Sequence, residues 1–147
     1  MQVIKVPGIN GLGHTIETRN AGNAIIAETG KGNLMDIEES HVDNSNLDEQ
    51  EQLIYKNSLD ALKDKNKVVF LGGDHSISYS IGKAFKESHG NESFLIIFDA
   101  HPDLMPPMEN PTHEEWLRGL IEKTGWKKEN IILVGLRKIE QEELLFL

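Results

Sequence analysis

The sequence predicts an α/β fold, a mainly parallel sheet with helices over both faces. Three observations carry this reading. The runs Val68-Val69-Phe70-Leu71, Phe94-Leu95-Ile96-Ile97-Phe98 and Ile131-Ile132-Leu133-Val134 are apolar at every position, as strands buried on both faces are. Strand-like and helix-like segments alternate along the chain, the signature of an α/β sheet. Residues of the ligand type crowd directly behind two of the runs, and ligands of such sheets bind outside the carboxyl ends of the strands.

Taken in order, Val3-Ile4-Lys5-Val6 is a short β-rich run stopped by Pro7-Gly8, a first strand. Glycines recur from Gly8 to Gly32, at 8, 11, 13, 22, 30 and 32, around the apolar patch Ala24-Ile25-Ile26-Ala27. Gly11 and Gly13 read as turn residues, because no G-x-G-x-x-G follows a strand and opens a helix here. His14 stands isolated in this loop. Asp36 to Glu51 is strongly acidic, and His41-Val42-Asp43 within it reads as a solvated edge strand and loop. Asp43-Asn44-Ser45-Asn46 is a turn cluster leading into a helix. There Ile54, Ser58, Ala61 and Tyr55, Leu59, Leu62 recur at spacings of three and four, giving one buried stripe. Lys63 to Lys67 is a charged turn before the Val68 run. Ile77, Ile81, Ala84 and Phe85 mark an amphipathic helix that ends at His89-Gly90, with His89 suited to the negative end of the helix dipole. The prolines of Leu104 to Pro111 exclude regular structure and predict a loop. Thr112-x-x-Glu115 predicts a capping box ahead of Trp116, Leu117, Leu120 and Ile121, a helix ended by Gly125. Glu129-Asn130 turns into the Ile131 strand, and another helix begins after Ile139.

The 147 residues are enough for one domain with a core. With 15 basic and 24 acidic residues the formal charge is −9, which argues against nucleic acid and anionic membranes as partners. The chain has no cysteine, so disulfides and thiolate zinc sites are excluded. No apolar stretch reaches membrane-helix length and no signal pattern opens the chain, so the expected setting is cytoplasmic.

The chemistry concentrates in Gly72-Gly73-Asp74-His75-Ser76 and Asp99-Ala100-His101-Pro102-Asp103. Asp99, His101 and Asp103 are spaced i, i+2, i+4, so an extended backbone points all three to one side. His75, arriving from a neighbouring strand, would join them in a site for one divalent metal or two. This mix of carboxylate and imidazole suits manganese better than zinc. Gly72 and Gly73 let the chain turn tightly and leave His75 uncovered, with Asp74 a capping or supporting residue.

In this order and at this separation, the two motifs resemble those of the ureohydrolase family of arginases and agmatinases. The resemblance covers Val68 to Arg137 and, weakly, the stretch before it. It implies a three-layer α/β/α arginase-like fold, with a two-manganese site that activates hydroxide to hydrolyse a C–N bond of a guanidino or amidine compound. By that resemblance His75 and Asp103 bind one Mn2+, His101 the other, and Asp99 bridges both. His113 takes the place of a histidine that positions substrate and moves protons, acting with Asp103. Typical arginases carry Asn two residues past the last motif Asp. Met105 stands there in this chain, which leans away from arginine and toward another linear amidine.

The family pattern also needs a later strand end carrying D-x-D-x-x-D-P, and this chain has none. Residues 1–147 therefore resemble the amino-terminal part of one arginase-like domain, incomplete at the carboxyl end. The expectation is a chain inactive or weak alone, forming a homo-oligomer or needing the missing half. Two alternatives stand beside it, a catalytically dead truncated remnant and a non-enzymatic subunit completed by a partner chain.

Overall fold

The computed structural model of the protein describes residues 1–29, 36–64 and 67–147, apart from the side chain of Asp64. Gly30 and Gly32 of the glycine-rich stretch, and Lys65 and Asn66 of the charged turn, lie outside them. Among the described residues five strands and five helices follow in order: β1 (Gln2–Val6), α1 (Ala21–Thr29), β2 (Asp36–Glu39), α2 (Leu47–Asp64), β3 (Val68–Gly72), α3 (Ile77–His89), β4 (Leu95–Phe98), α4 (Trp116–Thr124), β5 (Ile131–Val134) and α5 (Gln141–Phe146). Short 3₁₀ turns at Ile16–Asn20 and Lys128–Asn130 lead into α1 and β5.

All strand pairs are parallel, as the apolar runs predict, but the sheet comes in two pieces. One piece has the order β2-β1-β3, with Val3 opposite Ile37 on one side and Val69 on the other. The second is β4-β5, with Leu95 opposite Ile131. The two motif-bearing strands are thus not neighbours in one sheet, a correction to the sequence reading. Among the described residues β3 pairs with β1 alone and β4 with β5 alone. Between them lies a cleft of about 800 Å³, lined by Val69 and Phe70 of β3, by Ile96 and Phe98 of β4, and by Ile81 and Phe85 of α3.

Two cores follow from the two pieces. Ile4 and Val6 of β1 pack with Ile54 and Ala61 of α2 and Ile77 of α3. Alternation along β1 turns Lys5 to the opposite face, where α1 sits: its Nζ donates to Asn23 at 2.7 Å, and Gly22 lies against Lys5 and the Leu71 carbonyl. Strand β1 is therefore covered on both faces. In the second, Leu95, Ile97, Ile131 and Leu133 pack on the cluster of Tyr79, Trp116, Leu117, Leu120 and Trp126. Their alternates are left exposed: Ile96 is 60% exposed, Phe98 79%, Ile132 48% and Val134 38%. Helix α3 serves both cores, giving Ile77 to one and Tyr79 to the other.

The predicted helix boundaries meet their signals with one exception. Asn46 accepts from the Glu49 amide before α2, Gly90 closes α3 with φ 85° and Gly125 closes α4 with φ 71°. The Thr112–Glu115 capping box does not form. The Thr112 hydroxyl donates to the Glu115 carboxylate instead, residues 113–115 form a turn, and α4 starts at Trp116. A capping box does open α5, between Glu140 and Glu143. No helix among the described residues is long and apolar enough to cross a membrane.

Candidate metal centre

The end of β3 is fixed by the loop after β1. Gly73 donates to the Val6 carbonyl at 2.8 Å and Asp74 to the Gly8 carbonyl at 3.2 Å. A Cβ on Gly73 would fall 1.8 Å from that Gly8 oxygen, so it is close backbone approach that demands glycine here. Asp74 then ties the whole loop down. Its Oδ2 accepts from the Asn10 amide at 2.8 Å and the Thr15 hydroxyl at 2.6 Å, while Oδ1 accepts from the amide and hydroxyl of Ser76. Asp74 is buried and fully engaged. It holds His75 in place without facing the site.

Behind β4 the chain bends at once. Asp99 donates its amide to the Val134 carbonyl at 3.0 Å, and its Oδ1 accepts from the His101 amide at 3.0 Å. This Asx turn replaces the extended run that the i, i+2, i+4 spacing assumes. Asp103 follows with φ 52°, a left-handed conformation costing about 1–2 kcal/mol outside glycine. The start of α4 holds it there: the Arg118 amide donates to the Asp103 carbonyl at 3.4 Å, and the Trp116 indole Nε1–H to Oδ2 at 2.7 Å.

The outcome is a trio. His75 Nδ1 lies 2.7 Å from Asp103 Oδ2 and 3.2 Å from Asp99 Oδ2. One ligand atom from each of the three lies within 4.8 Å of the others. Asp103 is buried and Asp99 partly so. Two carboxylates this close repel, and a single imidazole compensates them incompletely. A divalent cation would answer that deficit, and the oxygen-rich donor set with one nitrogen fits manganese. His101 stands apart from the trio. Its ring is largely exposed and its Nδ1 is 3.7 Å from Asp99 Oδ1.

His113 borders a second hollow, of about 400 Å³, with His101, Asp103 and Met105. Its Nε2 is 3.7 Å from the Glu114 carboxylate, and its buried Nδ1 has no hydrogen-bond partner among the described residues. On the far rim Glu140 hydrogen-bonds Lys138 and holds its ammonium above the usual lysine range. Glu143, buried below, accepts from the amides of Leu104 at 3.0 Å and Glu140 at 2.9 Å, so α5 supports the loop behind Asp103. The sequence reading missed both Glu143 and the tie between Asp74 and the glycine-rich loop. Nothing local announced Glu143, whereas a Trp five positions past a Pro-rich loop signals a need for an acceptor once buried.

Comparison with known proteins returns one family. The family model described as "Arginase: Arginase family" matches residues 14–147. The arginase of Staphylococcus aureus is 30% identical over 133 residues, covering 78% of this chain and 44% of that protein. Among solved structures, formimidoylglutamase from Bacillus subtilis superposes with TM-score 0.82 at 22% identity, over 99% of this chain and 51% of that one. A putative agmatinase from Clostridium difficile gives TM-score 0.82 at 19% identity, over 98% and 57%. At such identities the two structures speak to the fold. The chain spans about half the length of these relatives, and a 74-residue match to an Arabidopsis thaliana mitochondrial arginase takes in 49% of this chain and 21% of that protein.

Proposed function

The chain belongs to the arginase family, and from that premise we propose that it supplies the metal-binding half of a manganese-dependent hydrolase of linear amidines. The observation that carries the reading is the His75, Asp99 and Asp103 trio at two strand ends. In this proposal His75, Asp99 and Asp103 hold Mn2+, and His101 turns inward to take part in a second position. When bound, manganese supplies a nucleophile near neutral pH by lowering the pKa of water.

The chain's own residues divide the remaining work. His113, which lines the hollow beside Asp103, orients the amidine and carries a proton to the leaving nitrogen. Asp103 fixes the cation against His75 and sets where that proton is needed. Met105 lines the same hollow and offers no hydrogen bond to an amino-acid end, which favours a substrate other than arginine. Alone, the chain is inactive or weak in urea release, because it has no D-x-D-x-x-D-P segment to complete a metal pair.

The bare face of Ile96, Phe98, Ile132 and Val134 favours one further reading. Apolar area of this kind associates, so the chain self-associates in a cytoplasmic setting or docks with a polypeptide supplying the other half. The reading is tested by manganese content and urea release for the unmodified chain, His75→Ala, Asp103→Ala, His14→Ala and His41→Ala. The first two substitutions should remove manganese by more than about 100-fold in affinity, beyond what outer partners of a metal site command. The last two should leave it unchanged. Equal losses at His41 and His75 would defeat the proposal.

A further inference from the structure

Trp116 sits where an apolar core residue and a functional partner coincide. Its ring belongs to the buried cluster with Leu117, Leu120 and Trp126, and it is 4% exposed. Its Nε1–H leaves that cluster and donates to Asp103 Oδ2 at 2.7 Å. Its ring centroid lies 4.7 Å from that of His75, tilted by 47°. One side chain thus touches two members of the trio.

We infer that Trp116 is a positioning residue of the metal centre, fixing the Asp103 carboxylate by its indole N–H while packing against the His75 ring. An indole nitrogen only donates. It cannot be a ligand, but it can decide how a ligating carboxylate is turned, as outer-shell donors do in metal sites. Asp103 needs such a hold, because its backbone is in the left-handed region and its carboxylate faces that of Asp99. Trp126 provides a built-in contrast. It lies in the same cluster and stacks on Phe85 at 6.5 Å, but its buried Nε1 has no partner among the described residues. Two buried indoles in one core therefore differ at the site: Trp116 donates to Asp103 and packs on His75, and Trp126 touches neither through its indole nitrogen.

The inference rests on the manganese reading above and is tested by titrating manganese into the unmodified protein, Trp116→Phe and Trp126→Phe. Calorimetry gives the affinity, emission the indole environment and circular dichroism the fold. Trp116→Phe should weaken manganese binding about tenfold, the scale of one hydrogen bond to a charged group. Trp126→Phe should leave the affinity unchanged, so a general softening of the core would not imitate the effect. Manganese is paramagnetic, so it should quench Trp116 in the Trp126→Phe protein and leave Trp126 bright in the Trp116→Phe protein. If Trp116→Phe does not fold, benzothienylalanine at position 116 keeps the ring shape, deletes the N–H and should give the same loss. Wild-type affinity in either Trp116 variant overturns the inference while leaving the metal reading intact. No manganese uptake by the unmodified protein overturns the metal reading and the inference with it.

Discussion

The two pieces of sheet are both parallel and meet different fates. Strand β1 alternates Ile4 and Val6 toward α2 with Lys5 toward α1, so each face has a helix and each side chain a partner. Strands β4 and β5 are apolar at every position, but half their side chains are exposed. Composition accounts for part of the difference, since β1 carries Gln2 and Lys5 and β2 is Asp36-Ile37-Glu38-Glu39; the rest lies in what surrounds the strands. An all-apolar run states that both faces are meant to be buried; it does not state that the chain in hand carries the cover. The motifs sit at the seam. His75 comes from the β2-β1-β3 piece, Asp99 and Asp103 from the β4-β5 piece, and α3 bridges the two.

If this contrast is right, substitutions should sort by piece. The largest effect is expected at Ile54, buried beneath β1: Ile54→Ala should cost about 2–5 kcal/mol in urea unfolding. Phe98→Ser, on the face exposed within one chain, should change the stability of the dissociated chain by no more than about 0.5 kcal/mol. Comparable losses at the two sites in protein dilute enough to be monomeric would show that the chain covers its own β4-β5 face.

Association gives a finer test. Replacing Ile96 and Ile132 together by serine should shift the protein toward monomer in sedimentation velocity at micromolar concentration. An unchanged distribution would place self-association elsewhere, and a monomer before substitution would remove the need for it.

The smallest effect concerns Tyr79 in the second core. Burial, with the Glu51 carboxylate behind it, pushes its phenol up to about 12, against about 10 in an unfolded chain. The folded protein then keeps a proton that the unfolded chain gives up. Stability from this group is whole below about pH 10 and falls as pH rises toward 12. Urea midpoints between pH 8 and 11.5 should show that slope, and Tyr79→Phe should flatten it.

How much was legible follows the range of each interaction. The apolar runs, glycine stops and helix stripes are local, and β3, β4, β5, α2 and α3 stand where the sequence puts them. The arginase likeness was legible in two pentapeptides. The split of the sheet was not, because strand neighbours depend on what inserts between them. Within the site, Asp99 and Asp103 meet His75, yet the extended geometry assumed for them gives way to the Asx turn at Asp99 and the positive φ of Asp103. His101 is turned outward by that same bend. The Thr112 and Glu115 pair was seen, but its box does not form because those two side chains bond each other. The Trp116 contact spans thirteen positions and a proline-rich loop, beyond what periodicity can report.

The most direct test of the account is a manganese titration of the 147-residue chain, followed by calorimetry with urea release and oligomeric state recorded on the same sample. One weak site per chain and no urea is the predicted result, since the trio is the one candidate metal cluster among the described residues. Two tight sites in a monomer that releases urea from an amidine would contradict it.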